Sequence, residues 1–181
     1  MRPLLRMTLL AIALALPALA QNVKEPELIN VPHWLDSAND ALKPVERIAA
    51  RFRSSGLVRP TLWVELHGEQ SSFRLAAGQR LEFAVSLASI DDPEKLLLYK
   101  LKPKKGKREA ELIKLNLASG VVSVDAARPN LIPCQISKLG NSFKLTPKDA
   151  LPPGEYAFIY DEEKNFAAPR DAFCFGVDAT K

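Results

Sequence analysis

Histidine and cysteine are scarce in this 181-residue chain, with two of each. A zinc site wants three or four closely spaced ligands, and no spacing of His, Cys, Asp and Glu here supplies them. His33 stands beside Trp34, and His67 has only Glu65 and Glu69 near it, as a histidine at the end of a surface strand would. G-x-S-x-G, P-loop and G-x-G-x-x-G signatures are missing, as is any Cys/His pair placed for nucleophilic chemistry. The expectation is a chain without a cofactor or a bound metal. Aromatic residues make up 7%, and the basic run 100–108 has none interleaved with it beyond the neighbouring Tyr99. A nucleic-acid surface would lack its stacking partners.

Long apolar runs are lacking too, which decides how the N-terminus is read. Arg2 and Arg6 precede an uncharged run from Leu9 to Leu16, and Pro17 ends it. A membrane-spanning helix needs roughly 20 apolar residues, more than twice this run. Ala18 and Ala20 put small residues where a signal peptidase reads, and polar Gln21 follows. Residues 1–20 are therefore expected to be a cleavable secretory signal, cut between Ala20 and Gln21. No cysteine stands at the cut to carry a lipid, so the mature chain is expected in the periplasm or outside the cell without a transmembrane anchor. Of 25 basic and 21 acidic residues, Arg2 and Arg6 leave with the signal, so 23 remain against 21. A chain this close to neutrality has no general affinity for nucleic acid.

Export gives the two cysteines a meaning. Cys134 and Cys174 lie in apolar, strand-like segments, and an even count in an oxidising compartment favours a disulfide. Such a loop closure stabilises by about 4 kcal/mol through the unfolded chain.

Fourteen prolines are spread along the chain and disfavour long helices. Residues 21–40 read as an extended lead-in and 41–181 as one domain, a usual domain size. Over Ala41–Arg53 a helical stripe (Leu42, Val45, Ile48, Phe52) competes with period-2 alternation (Ile48, Ala50, Phe52), and strand is marginally preferred. From Thr61 alternation dominates: Leu62, Val64 and Leu66, then Leu81, Phe83, Val85 and Leu87, share faces. Turn signals recur every 8–12 residues, giving roughly nine to eleven short strands. The expected fold is all-β, an antiparallel β-sandwich of immunoglobulin-like or jelly-roll-like form, with one solvated face per sheet and at most one short helix near 41–53. The stretch Leu151-Pro152-Pro153-Gly154-Glu155-Tyr156 reads as a rigid corner whose tyrosine packs its ring and turns its hydroxyl to a backbone group.

Three stretches, Ser137–Leu145 (SKLGNSFKL), Leu151–Phe158 (LPPGEYAF) and Phe173–Asp178 (FCFGVD), carry a resemblance. Together they resemble a group of exported bacterial proteins with a β-rich domain. In that group a KYG-S-[YF]-K-L-P strand precedes L-PGEYAF and a terminal FCFG[IV]D. The resemblance spans about Val58 to Asp178 and implies export and a β fold. It carries no catalytic or ligand residue.

The strongest charge feature is Lys100-Leu101-Lys102-Pro103-Lys104-Lys105-Gly106-Lys107-Arg108. Its six cations, Lys100, Lys102, Lys104, Lys105, Lys107 and Arg108, suit either an anionic partner or a solvated hairpin with lysines guarding its edge. The acidic runs Asp91-Asp92 and Asp161-Glu162-Glu163 fall where turns are expected. The function expected is a non-enzymatic binding or accessory module that contacts a protein, a glycan or an envelope polyanion. The alternatives are a small hydrolase with carboxylates converging from loops, and a structural subunit assembling by strand addition.

Overall fold

The computed structural model describes residues 24–56, 60–88, 92–116, 123–161 and 170–179. The segment expected to be a signal, with Ala20 and Gln21, lies outside them, as do Asp91 and the Glu162-Glu163 pair. Among the described residues, strands account for nearly all regular structure. In chain order they are β1 His33–Asp36, β2 Ala41–Pro44, β3 Glu46–Ser55, β4 Thr61–His67, β5 Arg74–Ala76, β6 Phe83–Val85 and β7 Leu96–Lys104. They continue with β8 Lys107–Asn116, β9 Ser123–Ala127, β10 Leu131–Ile132, β11 Cys134–Leu139, β12 Ser142–Pro147, β13 Gly154–Tyr160 and β14 Arg170–Asp178. One 3₁₀ turn, Pro93–Lys95, is capped by Asp92, whose carboxylate accepts from the Glu94 amide at 2.9 Å. The ambiguous segment 41–53 is strand, and the stretch read as a lead-in contributes β1.

The fold is all-β, but it is not a simple two-sheet sandwich. One sheet runs β10-β7-β13-β14-β3-β4-β8-β9, and β8 also pairs back onto β7 through Lys102↔Glu109, Pro103↔Arg108 and Lys104↔Lys107. Strands β7, β13, β14, β3, β4 and β8 thereby close a six-stranded antiparallel barrel. A second sheet, β11-β12-β6-β1-β2, packs on its outer wall.

Two cores result, one on each side of the β13–β14 wall. Inside the barrel lie Ala50, Val64, Leu66, Tyr99, Leu101, Ala110, Leu112, Ala157, Ile159, Ala172 and Cys174. Six strands enclose a narrow bore, which side chains alone fill. The alanines on β3, β8, β13 and β14 suit that width. Between barrel and second sheet, Phe83 lies against Phe158 and Phe175 at ring-centre distances of 5.0 and 4.8 Å. Leu98, Leu145, Tyr156 and Val177 complete that layer. Strands β13 and β14 are thus buried on both faces. That corrects the expectation of one wet face per sheet. The corner before β13 forms as expected: Tyr156 is fully buried, stacks on Phe175 and donates its hydroxyl to the Pro152 carbonyl at 2.5 Å.

Candidate functional site

The basic run folds as the β7–β8 hairpin, with Lys105 and Gly106 at its turn. Gly106 has φ +74°, a left-handed conformation that glycine takes at no steric cost. Strand alternation then divides the six cations. Lys100, Lys102 and Lys104 share the outer face of β7, and Lys107 lies on the outer face of β8. Arg108 is in phase with Ala110 and Leu112 and so points into the barrel.

Arg108 is only 1% exposed, and a buried guanidinium requires anionic partners. Two inward-phased carboxylates provide them. Glu155 approaches Nη1 at 3.3 Å, and Glu46 approaches Nη2 at 3.3 Å and Nη1 at 3.4 Å. The His67 carbonyl accepts from Nη2 at 3.4 Å. The chain before and through β5 closes the barrel end over this cluster. The Ser71 amide donates to Glu155 at 2.8 Å and the Ser72 hydroxyl to Glu46 at 3.0 Å. Arg74 spans Glu155 and Asp178, reaching the latter at 2.7 Å. It lies flat over Gly176, where a Cβ would land on the guanidinium. Burial pushes the Glu46 carboxyl up, but the serine hydrogen bonds and Arg108 outweigh this and hold it below the usual carboxylate range.

The outer wall consumes two more cations. Glu109 is buried, with its carboxylate paired to Lys104, to Lys107 at 3.3 Å and to Arg53 at 3.5 Å. Burial pushes its carboxyl up, but Lys104 and Lys107 outweigh this and hold it below the usual carboxylate range. Glu65 accepts from Lys107 at 2.7 Å and from Arg53 at 2.5 Å, and both hold its carboxyl low. The hydrogen bond to Glu65 in turn holds the Lys107 ammonium above the ordinary lysine range. Lys104, Lys107 and Arg108 are therefore parts of the fold. Lys100, Lys102 and Lys105 are exposed and, among the described residues, have no acidic partner.

The remaining candidates are placed elsewhere. Cys134 and Cys174 are both free, so the expected disulfide is not formed in this structure. Cys134 sits on β11 against the inter-sheet core and Cys174 on β14 inside the barrel, in separate cores. Burial pushes both thiols up to about 12. His33 is buried on β1, with Nδ1 2.8 Å from the Val31 carbonyl, rather than lying in an extended lead-in. His67 ends β4. Asp161 pairs with Arg128 at 2.5 Å, and Arg128 also donates to the Tyr99 hydroxyl at 2.8 Å.

Sequence reasoning missed the acidic half of this arrangement. A signal was present: Glu46 precedes Ile48, Ala50 and Phe52 in phase, and Glu155 precedes Ala157 and Ile159 in phase. A charge in register with apolar neighbours asks for a buried partner. Among the described residues no group of three or more His, Cys, Asp or Glu is placed to hold a metal ion, and no helix is long and apolar enough to cross a membrane. No family model matches the chain, and no curated protein or solved structure matches it significantly.

Proposed function

We propose that the chain is an exported, non-catalytic binding or accessory module of the periplasm or cell surface, which meets an anionic partner through Lys100, Lys102 and Lys105. The observation that carries this reading is the division of the hairpin. Three of its cations are committed to Glu46, Glu65, Glu109 and Glu155, and three stand outward without an acid among the described residues. Cations needed for folding are buried or paired; those left over are available to a protein, a glycan or an envelope polyanion. Export rests on residues 1–20, and the resemblance of the later strands to exported β-rich proteins agrees with it.

Against a hydrolase stands the state of the carboxylates. They do converge, but on guanidinium and ammonium groups that keep Glu46, Glu65 and Glu109 below the ordinary range. A general acid needs the opposite shift.

The test is retention on an immobilised polyanion, with heparin as the probe. Changing Lys100, Lys102 and Lys105 together to Gln should shift elution to much lower salt without altering the unfolding temperature. Unchanged elution would remove the hairpin from consideration.

A further inference from the structure

Of the strands at the ends of the two sheets, β10 has two residues, and β2 has four and ends in Pro44. The ladder between β9 and β8 is irregular. Strand β11 differs from all three. Its six residues run in unbroken register with β12, and no strand lies on its other side among the described residues. The row of unpaired N–H and C=O groups on such an edge is a template for another strand.

Which groups are free follows from the turn. Leu139 and Ser142 flank a two-residue loop whose first residue, Gly140, has φ +61°, as a type II′ hairpin requires. That turn makes Leu139 and Ser142 a hydrogen-bonded pair, and the phase alternates from there. Ser137 and Gln135 therefore bond to β12. The Lys148 amide, donating to the Pro133 carbonyl at 3.0 Å, continues the same phase. Pro147, which has no N–H, falls opposite Cys134, where none is needed. Cys134, Ile136 and Lys138 are left with their backbone groups directed outward.

Sheet edges are ordinarily guarded by charge, proline or a bulge. Cys134–Leu139 contains no proline and no bulge, and its one charge, Lys138, lies over the Phe143 ring, 4.0 Å from the centre. Ile136, opposite the fully buried Leu145, stays half-buried at the rim of the inter-sheet core. We propose that β11 is a dimerisation edge, to which a second copy of the chain adds its own β11, antiparallel, about a two-fold axis at Ile136. Ile136 then meets Ile136 of the second copy, Cys134 meets Lys138, and Gln135 meets Ser137. Every outward backbone group enters a pair that exchanges two hydrogen bonds. An edge built to reject its own copy would set like charges opposite one another; in this register Lys138 faces an uncharged thiol and the centre is apolar. A six-residue edge is a small interface, so half-dimerisation is expected on the order of 10–100 µM. The inference is independent of the hairpin reading, because the two surfaces share no residue.

The test is light scattering at about 500 µM and about 5 µM, on either side of that range, with amide hydrogen exchange followed residue by residue. A dimer should form at the higher concentration and dissociate at the lower. The amides of Cys134, Ile136 and Lys138 should be protected only in the dimer, and those of Gln135, Ser137 and Leu139 at both concentrations. Ile136→Lys and Ile136→Glu should each be monomeric with little change in unfolding temperature, and their equimolar mixture should recover the dimer. A monomer at both concentrations would overturn the proposal, even if an added peptide protected the edge amides. So would a dimer that survives Ile136→Lys, a mixture that stays monomeric, or a dimer without the alternating protection.

Discussion

Arg108 shows how one residue's phase along a strand decides its role. Lys107 and Arg108 are adjacent and both cationic, yet one faces solvent and the other the bore of the barrel. Removing a single member of a buried ion pair strands the other charge, at a cost of about 3–5 kcal/mol. Neutralising an exposed lysine changes stability by less than about 0.5 kcal/mol. The same division gives a pH dependence. Asp36, Glu46, Glu65 and Glu109 all have folded-state pKa values shifted below their usual range. For Asp36 the cause is first its hydrogen bonds from Lys43 and Asn39. A depressed carboxylate contributes stability above its unfolded value and loses it as pH falls through the folded one. The unfolding temperature should therefore drop as pH is lowered from about 5 towards about 3. Thermal melts across that range check this, and a flat profile would contradict it.

At the scale of elements, legibility followed burial on one face. Strand β4, Thr61–His67, is legible because Leu62, Val64 and Leu66 alternate cleanly along one face. The Lys-Gly turn of the β7–β8 hairpin was readable for the same kind of reason, since its turn chemistry is local. For strands β13 and β14 the expectation of one wet face per sheet fails. Their sequences, GEYAFIY and RDAFCFGVD, carry apolar residues at nearly every position, the mark of strands covered on both sides. Strand β1 was missed because HWLD is short and mixed, and its burial comes from neighbours distant in sequence, β2 and β6. The corner before β13 makes a prediction at this scale. Tyr156→Phe keeps the ring stacked on Phe175 and removes only the hydrogen bond to Pro152, at a cost of about 1 kcal/mol by chemical denaturation. A loss near 4 kcal/mol, or none, would show that the hydroxyl plays a different part.

At the scale of the whole molecule, closure of the barrel could not be read from the sequence. It depends on three residue pairs between β7 and β8 and on β3 lying between β14 and β4, none of which leaves a periodic signature. Closure also decides the cysteines. By placing Cys134 in one core and Cys174 in the other, it separates the two sulfurs that an even count, in a chain expected to be exported, suggests are paired. Both thiols should resist alkylation in the native protein at pH 8 and react once it is unfolded. Its unfolding temperature should be the same with and without reductant. A fall on reduction would mean that the two sulfurs are joined.

The account rests most heavily on the claim that Arg108 and Glu155 form a buried pair at the barrel end, which takes part of the basic run out of reach of any partner. A double-mutant cycle on unfolding free energy tests it directly, using Arg108→Met, Glu155→Gln and the two combined. Each single change should cost several kcal/mol, and the double should cost clearly less than their sum, because it leaves no charge stranded. Strictly additive losses, or single changes worth under about 0.5 kcal/mol, would contradict the buried pair and return Arg108 to the surface.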